Sequence, residues 1–128
     1  MARILLIDDE PLIITMLSTF LGREGHEVVS AGDGKEGLKI LDGGSFDLII
    51  TDIIMPECDG FEVLMSIEKM PNRPKTIAMS GGSSYLVQEY LLDISEKMKA
   101  DRVIPKPIQL SKLSEIIDEL LSMSKNGI

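Results

Sequence analysis

Acidic side chains follow two of the apolar runs in the chain. The stretch "LLIDDEP" (residues 5–11) places Asp8 and Asp9 directly after an apolar run, and "IITDIIMPECDG" (49–60) places Asp52 after another. Carboxylates about 4 Å apart repel each other by about 4 kcal/mol per pair at an effective dielectric constant of ~20. Such a group therefore shares a proton or surrounds a cation. Because the donors are hard oxygens with no neighbouring His or Cys pair, the expected cation is Mg²⁺ rather than zinc.

Two further polar residues follow later apolar runs. Ser80 lies in "AMSGG" (78–82) and Lys106 in "PKP" (105–107). A lysine ammonium group can meet one oxygen of a phosphoryl group, and a serine hydroxyl can donate a hydrogen bond to another. A carboxylate can attack phosphorus to form an aspartyl phosphate, and this transfer depends mainly on positioning and charge neutralisation. These residue types together indicate Mg²⁺-assisted phosphoryl transfer to a carboxylate.

The elements that carry these residues alternate regularly along the chain. Short apolar runs, typical of strands covered on both faces, occur at residues 4–7, 28–31, 48–51, 76–79 and 103–104. Amphipathic stretches with helical spacing occur at residues 11–22, 36–41, 61–70, 87–98 and 110–121. This alternation predicts the α/β class, with a doubly wound, five-stranded parallel sheet and helices on both faces. Ligands of such sheets bind at the carboxyl ends of the strands, where the acids, Ser80 and Lys106 are expected to meet.

Length and composition limit the classes of protein that this chain could be. Its 128 residues fit one domain, predicted to span 1–128. Thirteen Lys and Arg against 21 Asp and Glu give a net charge of −8, which argues against direct binding to nucleic acid or an anionic membrane. The single cysteine excludes an internal disulfide, and no apolar run approaches the ~18 residues of a membrane helix. A cytoplasmic location is the expectation.

The four motifs, in this order, resemble the receiver domain of bacterial two-component response regulators, and in particular the chemotaxis-type receivers that consist of a single domain. The resemblance covers essentially the whole chain and implies a flavodoxin-like strand order, 2-1-3-4-5. It identifies Asp52 with the phosphoacceptor of the family. It identifies Asp9 with the direct ligand of Mg²⁺ and Asp8 with the acid that acts beside it.

The resemblance also assigns roles to residues outside the acidic motif. Ile54 would offer its backbone carbonyl to the metal, Ser80 corresponds to the switch hydroxyl, and Lys106 corresponds to the lysine that contacts the phosphoryl group. The bond between Lys106 and Pro107 is expected to be cis. The sequence departs from the family pattern at Val103, where the family usually has an aromatic residue, and the segment between Ser80 and Lys106 is longer than usual.

The function implied by the resemblance is a phosphorylation-dependent switch, not a turnover enzyme. The partners would be a sensor histidine kinase or a histidine phosphotransfer protein, and a downstream protein target or a fused output domain. Two alternatives stay open at this point. One is a receiver-like docking module that takes no phosphate. The other is a Mg²⁺-dependent phosphatase with an aspartyl nucleophile, although the D-x-D pattern of such enzymes is missing after Asp52.

Overall fold

The structure is a computed structural model that describes residues 1–53, 60–80 and 100–125. Its strands are β1 (Arg3–Ile7), β2 (Glu27–Ala31), β3 (Leu48–Asp52), β4 (Lys75–Ser80) and β5 (Arg102–Pro105). The helices in the described part are α1 (Pro11–Arg23), α2 (Gly34–Asp42), α3 (Gly60–Glu68) and α4 (Leu110–Lys125). Each predicted strand is present, and the predicted helix at 87–98 lies outside the described residues.

The five strands form one parallel sheet in the order β2-β1-β3-β4-β5, which confirms the predicted topology. The chain order and the spatial order differ because β1 lies between β2 and β3. In the β1–β3 pair, Ile7 is opposite Thr51. Asp8 directly follows Ile7, and Asp52 directly follows Thr51. This register therefore brings both acids to the same edge of the sheet.

Two apolar cores cover the two faces of the sheet. Alternate residues of each strand point to opposite faces, so Leu5 and Ile49 pack with α2 and α3, while Leu6 and Ile50 pack with α1 and α4. All four of these side chains are completely buried. The doubly covered sheet explains why the strands are nearly continuous in apolar residues, and it holds the carboxyl ends of β1 and β3 in fixed positions.

The helix boundaries follow local capping chemistry. α1 begins at Pro11, as predicted, because proline is suited to a first helical position. α2 begins at Gly34, two residues earlier than the predicted Glu36, because the Asp33 carboxylate caps the helix by accepting a hydrogen bond from the Glu36 amide at 2.8 Å. Gly37 in this helix lies so close to Ile7 of β1 that a β-carbon at position 37 would collide with the Ile7 side chain. The absence of a side chain at Gly37 therefore allows α2 to pack closely against β1.

A polar network closes the opposite, amino-terminal edge of the sheet. The Asp101 carboxylate accepts hydrogen bonds from the amide and hydroxyl of Thr76, at 2.8 and 3.2 Å, and its amide donates to the Thr76 hydroxyl at 3.0 Å. Arg73 lies 3.7 Å from the same carboxylate. These contacts join the starts of β4 and β5. No helix within the described residues combines the length and the apolar character needed to cross a bilayer.

Candidate functional site at the carboxyl edge of the sheet

Three acidic residues lie together where β1 and β3 end. Asp52 is the last residue of β3, and Asp8 directly follows β1. Both are buried, at 4% and 1% exposure, whereas Asp9 is exposed. Buried carboxylates are uncommon unless a cation or hydrogen bonds compensate them. The edge therefore carries two acids that need a counter-charge and a third that is accessible from solvent.

Backbone hydrogen bonds fix the loops that carry these acids. The Asp8 amide donates to the Ala31 carbonyl at 3.1 Å, and the Asp8 carboxylate accepts from the Glu10 amide at 2.9 Å. On the neighbouring strand, the Ile53 amide donates to the Met79 carbonyl at 3.0 Å. Asp8 and Asp52 are thus held by the sheet itself, as a preorganised site requires.

Lys106 supplies the counter-charge. Its ammonium nitrogen lies 2.8 Å from Asp8 Oδ2, 2.8 Å from Glu10 Oε1 and 3.2 Å from Asp52 Oδ2. Burial by itself lowers the pKa of Lys106, but its contacts with Asp8 and Glu10 and the attraction of Asp52 raise this pKa well above its ordinary value. The lysine is therefore a permanent cation at neutral pH, positioned beside the Asp52 carboxylate.

The acids have the composition and spacing of a site for a hard cation. One carboxylate oxygen from each of Asp8, Asp9, Glu10 and Asp52 lies within 4.8 Å of the others. Asp8 Oδ2 is buried, and within the described part of the chain it accepts no hydrogen bond of good geometry, although Lys106 is near. An oxygen-only donor set with waters completing the shell is the chemistry that Mg²⁺ prefers. The residues therefore fit Mg²⁺.

Comparison with known proteins identifies this arrangement. The family model of the response regulator receiver domain matches residues 4–118. The chain belongs to the response regulator receiver family. This confirms the resemblance to the receiver domain of response regulators.

Solved structures of receiver proteins are similar to this chain over almost its whole length. The receiver domain protein of Clostridium thermocellum has a TM-score of 0.86 and 30% identity, and the match covers 100% of both chains. The response regulator TrrA of Thermotoga maritima, solved in complex with Mg²⁺-BeF, has a TM-score of 0.81 and 37% identity. That match covers 94% of this chain and 99% of TrrA.

Curated relatives are longer proteins. Transcriptional regulatory protein GlrR of Escherichia coli K12 is 32% identical over 96% of this chain, but the match covers 27% of GlrR. The transcriptional regulator NtrC of Bradyrhizobium is 34% identical over 98% of this chain, and the match covers 25% of NtrC. The chain thus spans about a quarter of the length of these two relatives.

The receiver brings together four of the six predicted site residues: Asp8, Asp9, Asp52 and Lys106. The backbone of Ser80 ends β4 at the same edge, but its side chain lies outside what the structure describes, as does all of Ile54. The Lys106–Pro107 bond is cis, as predicted.

Two further residues of the receiver, Val103 and Glu10, lie close to the elements and the site described above. Val103, the departure from the family pattern, is half-buried and packs against the core shared with α2 and α3. Glu10, which was not among the predicted site residues, joins the acidic cluster and contacts Lys106. Its only signal in the sequence is its position directly after Asp8 and Asp9 and directly before Pro11, where α1 begins.

Proposed function

We propose that this chain accepts a phosphoryl group on Asp52 and thereby acts as a switch in a two-component pathway. The observation that supports this most strongly is the position of Asp52, which is buried next to Asp8, with the Lys106 ammonium 3.2 Å from Oδ2. A carboxylate in this setting has a fixed direction of attack and a cation ready for the charge of the incoming group.

Asp8, Asp9 and Asp52 would hold Mg²⁺, with the Ile54 carbonyl as a further ligand by family resemblance. Bound there, the metal would neutralise charge on the carboxylates and on the phosphoryl oxygens. Asp52 attacks phosphorus as the bond from phosphorus to the donor histidine breaks, and the bonding electrons return to the histidine nitrogen. The Lys106 ammonium group donates a hydrogen bond to one phosphoryl oxygen, and the Ser80 hydroxyl is the candidate donor to another.

The donor in this proposal is a sensor histidine kinase or a histidine phosphotransfer protein, and the recipient of the signal is a protein target or a fused output domain. Neither nucleic acid nor membrane is a direct partner, since the net charge is −8. The cytoplasm is the expected location. The chain assists only its own phosphorylation and the later hydrolysis of the acyl phosphate, so it is a signalling domain and not a turnover enzyme.

A mass measurement on the intact protein tests the proposal. The protein is incubated with Mg²⁺ and acetyl phosphate, beside Asp52→Asn and the control Asp118→Asn, which removes the same charge from an exposed position on α4. One phosphoryl adduct in the wild type and the control, absent from Asp52→Asn, is the expected result. No adduct with acetyl phosphate or with a kinase would favour a docking module. Turnover of many phosphate esters without an adduct would favour a phosphatase.

A further inference from the structure

Glu10 occupies a helix-capping position without capping the helix. It is the N-cap residue of α1, yet its side chain makes no capping hydrogen bond. The carboxylate instead accepts a hydrogen bond from the Lys106 ammonium at 2.8 Å, across 96 residues of sequence. The Glu10 amide meanwhile donates to Asp8. Backbone and side chain of Glu10 thus hold two different members of the site.

Carboxylates from three described residues lie close around the ammonium group of Lys106. It donates hydrogen bonds to Glu10 at 2.8 Å and to Asp52 at 3.2 Å, and Asp8 Oδ2 lies 2.8 Å away as an ion-pair partner. A phosphoryl oxygen that approaches Lys106 therefore competes with these carboxylates for the ammonium group and replaces one of them. The replacement costs least for the carboxylate that water can solvate once it is released.

Exposure identifies which carboxylate that is. The side chain of Asp8 is 0% exposed and that of Asp52 6%, whereas that of Glu10 is 58% exposed. Released from Lys106, the Glu10 carboxylate only has to turn into solvent, while Asp8 has no such route. The Glu10 carboxylate also carries the same sign of charge as a phosphoryl group, so both cannot remain on Lys106 without repulsion.

We propose that Glu10 is a displaceable latch on Lys106, a positioning residue that holds the ammonium group in place before phosphorylation and yields its place to the phosphoryl group. The inference rests on the proposed function, since it names the residue that the phosphoryl group displaces. The latch lowers the affinity of the resting site for an anion at Asp52. Its strength is that of a partly exposed ion pair, so removing it is expected to tighten binding of a phosphoryl analogue roughly two- to fivefold.

The test uses beryllofluoride, a phosphoryl analogue, titrated calorimetrically at saturating Mg²⁺. The proteins are the wild type, Glu10→Gln, Glu10→Asp and the control Glu115→Gln, an exposed residue on α4. Glu10→Gln removes the charge, while Glu10→Asp keeps the charge but shortens the reach to Lys106 by one carbon. The latch predicts tighter binding in both Glu10 variants and unchanged binding in the control.

A spectroscopic measurement reports the release itself. In the wild type, the carboxyl carbon of Glu10 and the side-chain nitrogen of Lys106 are followed by NMR, and both resonances are expected to shift when beryllofluoride binds. Equal affinity of Glu10→Gln and Glu115→Gln, weaker binding in Glu10→Gln, or a gain in Glu10→Gln alone would each overturn the latch. If the wild type binds no analogue and also forms no adduct with acetyl phosphate, the proposed function fails and the latch with it.

Discussion

The close contact between α2 and β1 gives a prediction that can be worked out from the structure. Gly37 of α2 lies against Ile7, the residue before Asp8, and a β-carbon at Gly37 would lie 2.4 Å from Ile7 Cδ1 and 3.0 Å from Cγ1. Ile7 is fully buried, so its side chain cannot turn away without disturbing its neighbours. Overpacking of this kind costs roughly 1–3 kcal/mol.

The Gly37→Ala substitution also brings an opposing gain. Replacing glycine by alanine inside a helix stabilises the helix by roughly 0.5–1 kcal/mol. The expected net loss in the free energy of unfolding is therefore about 1 kcal/mol, or a melting temperature lower by about 4 °C for a chain of this size. Gly22 of α1 is the matched control, because a β-carbon there meets nothing within 4 Å. Gly22→Ala should therefore show only the increase in the free energy of unfolding that comes from placing alanine in a helix.

Urea unfolding followed by far-UV circular dichroism measures both variants against the wild type. The expected order of stability is Gly22→Ala, wild type, Gly37→Ala, with a span of about 2 kcal/mol between the variants. If Gly37→Ala is as stable as Gly22→Ala, the contact with Ile7 does not constrain α2, and the explanation of this glycine is wrong.

Three further predictions concern the two edges of the sheet. Mg²⁺ at one hundred times its Kd should raise the free energy of unfolding by about 2.7 kcal/mol, measured by thermal melting; a shift retained in Asp9→Asn would place the metal elsewhere. Lys106→Met, measured by urea unfolding in EDTA, should lose roughly 3 kcal/mol because buried carboxylates lose their counter-ion. Since the pKa of Lys106 is raised on folding, its contribution is complete below the unfolded value of ~10.4 and is lost as pH rises through the folded value. The deficit of Lys106→Met should therefore stay constant between about pH 7 and 9, and a deficit that fades in that range contradicts the ion pairs. Asp101→Ala should cost about 1–3 kcal/mol in the same urea assay, because the amide and hydroxyl of the buried Thr76 lose the carboxylate that accepts their hydrogen bonds; unchanged stability would show that this network does not stabilise the strand starts.

The sequence by itself determined the elements and the kind of chemistry. Apolar runs of strand length and helical periodicity are local signals, so the five strands could be predicted to within one or two residues. The edge on which Asp8, Asp52 and Lys106 meet also followed, because the carboxyl ends of parallel strands share one edge. The capping of α2 by Asp33 was a local signal too, but the start of the helix was placed two residues late.

Only the tertiary structure decided the distances and partners within the site. The sequence shows that Asp8 and Asp52 end two strands, but their burial and the approach of Lys106 to both depend on the pairing of β1 with β3 and on side chains from distant segments. Glu10 is the clearest case. Its neighbours in sequence place it at the N-cap position of α1, but the ammonium group that its carboxylate binds belongs to a residue 96 positions later. Periodicity and capping act over a few residues, whereas this ion pair exists only once the whole sheet has formed.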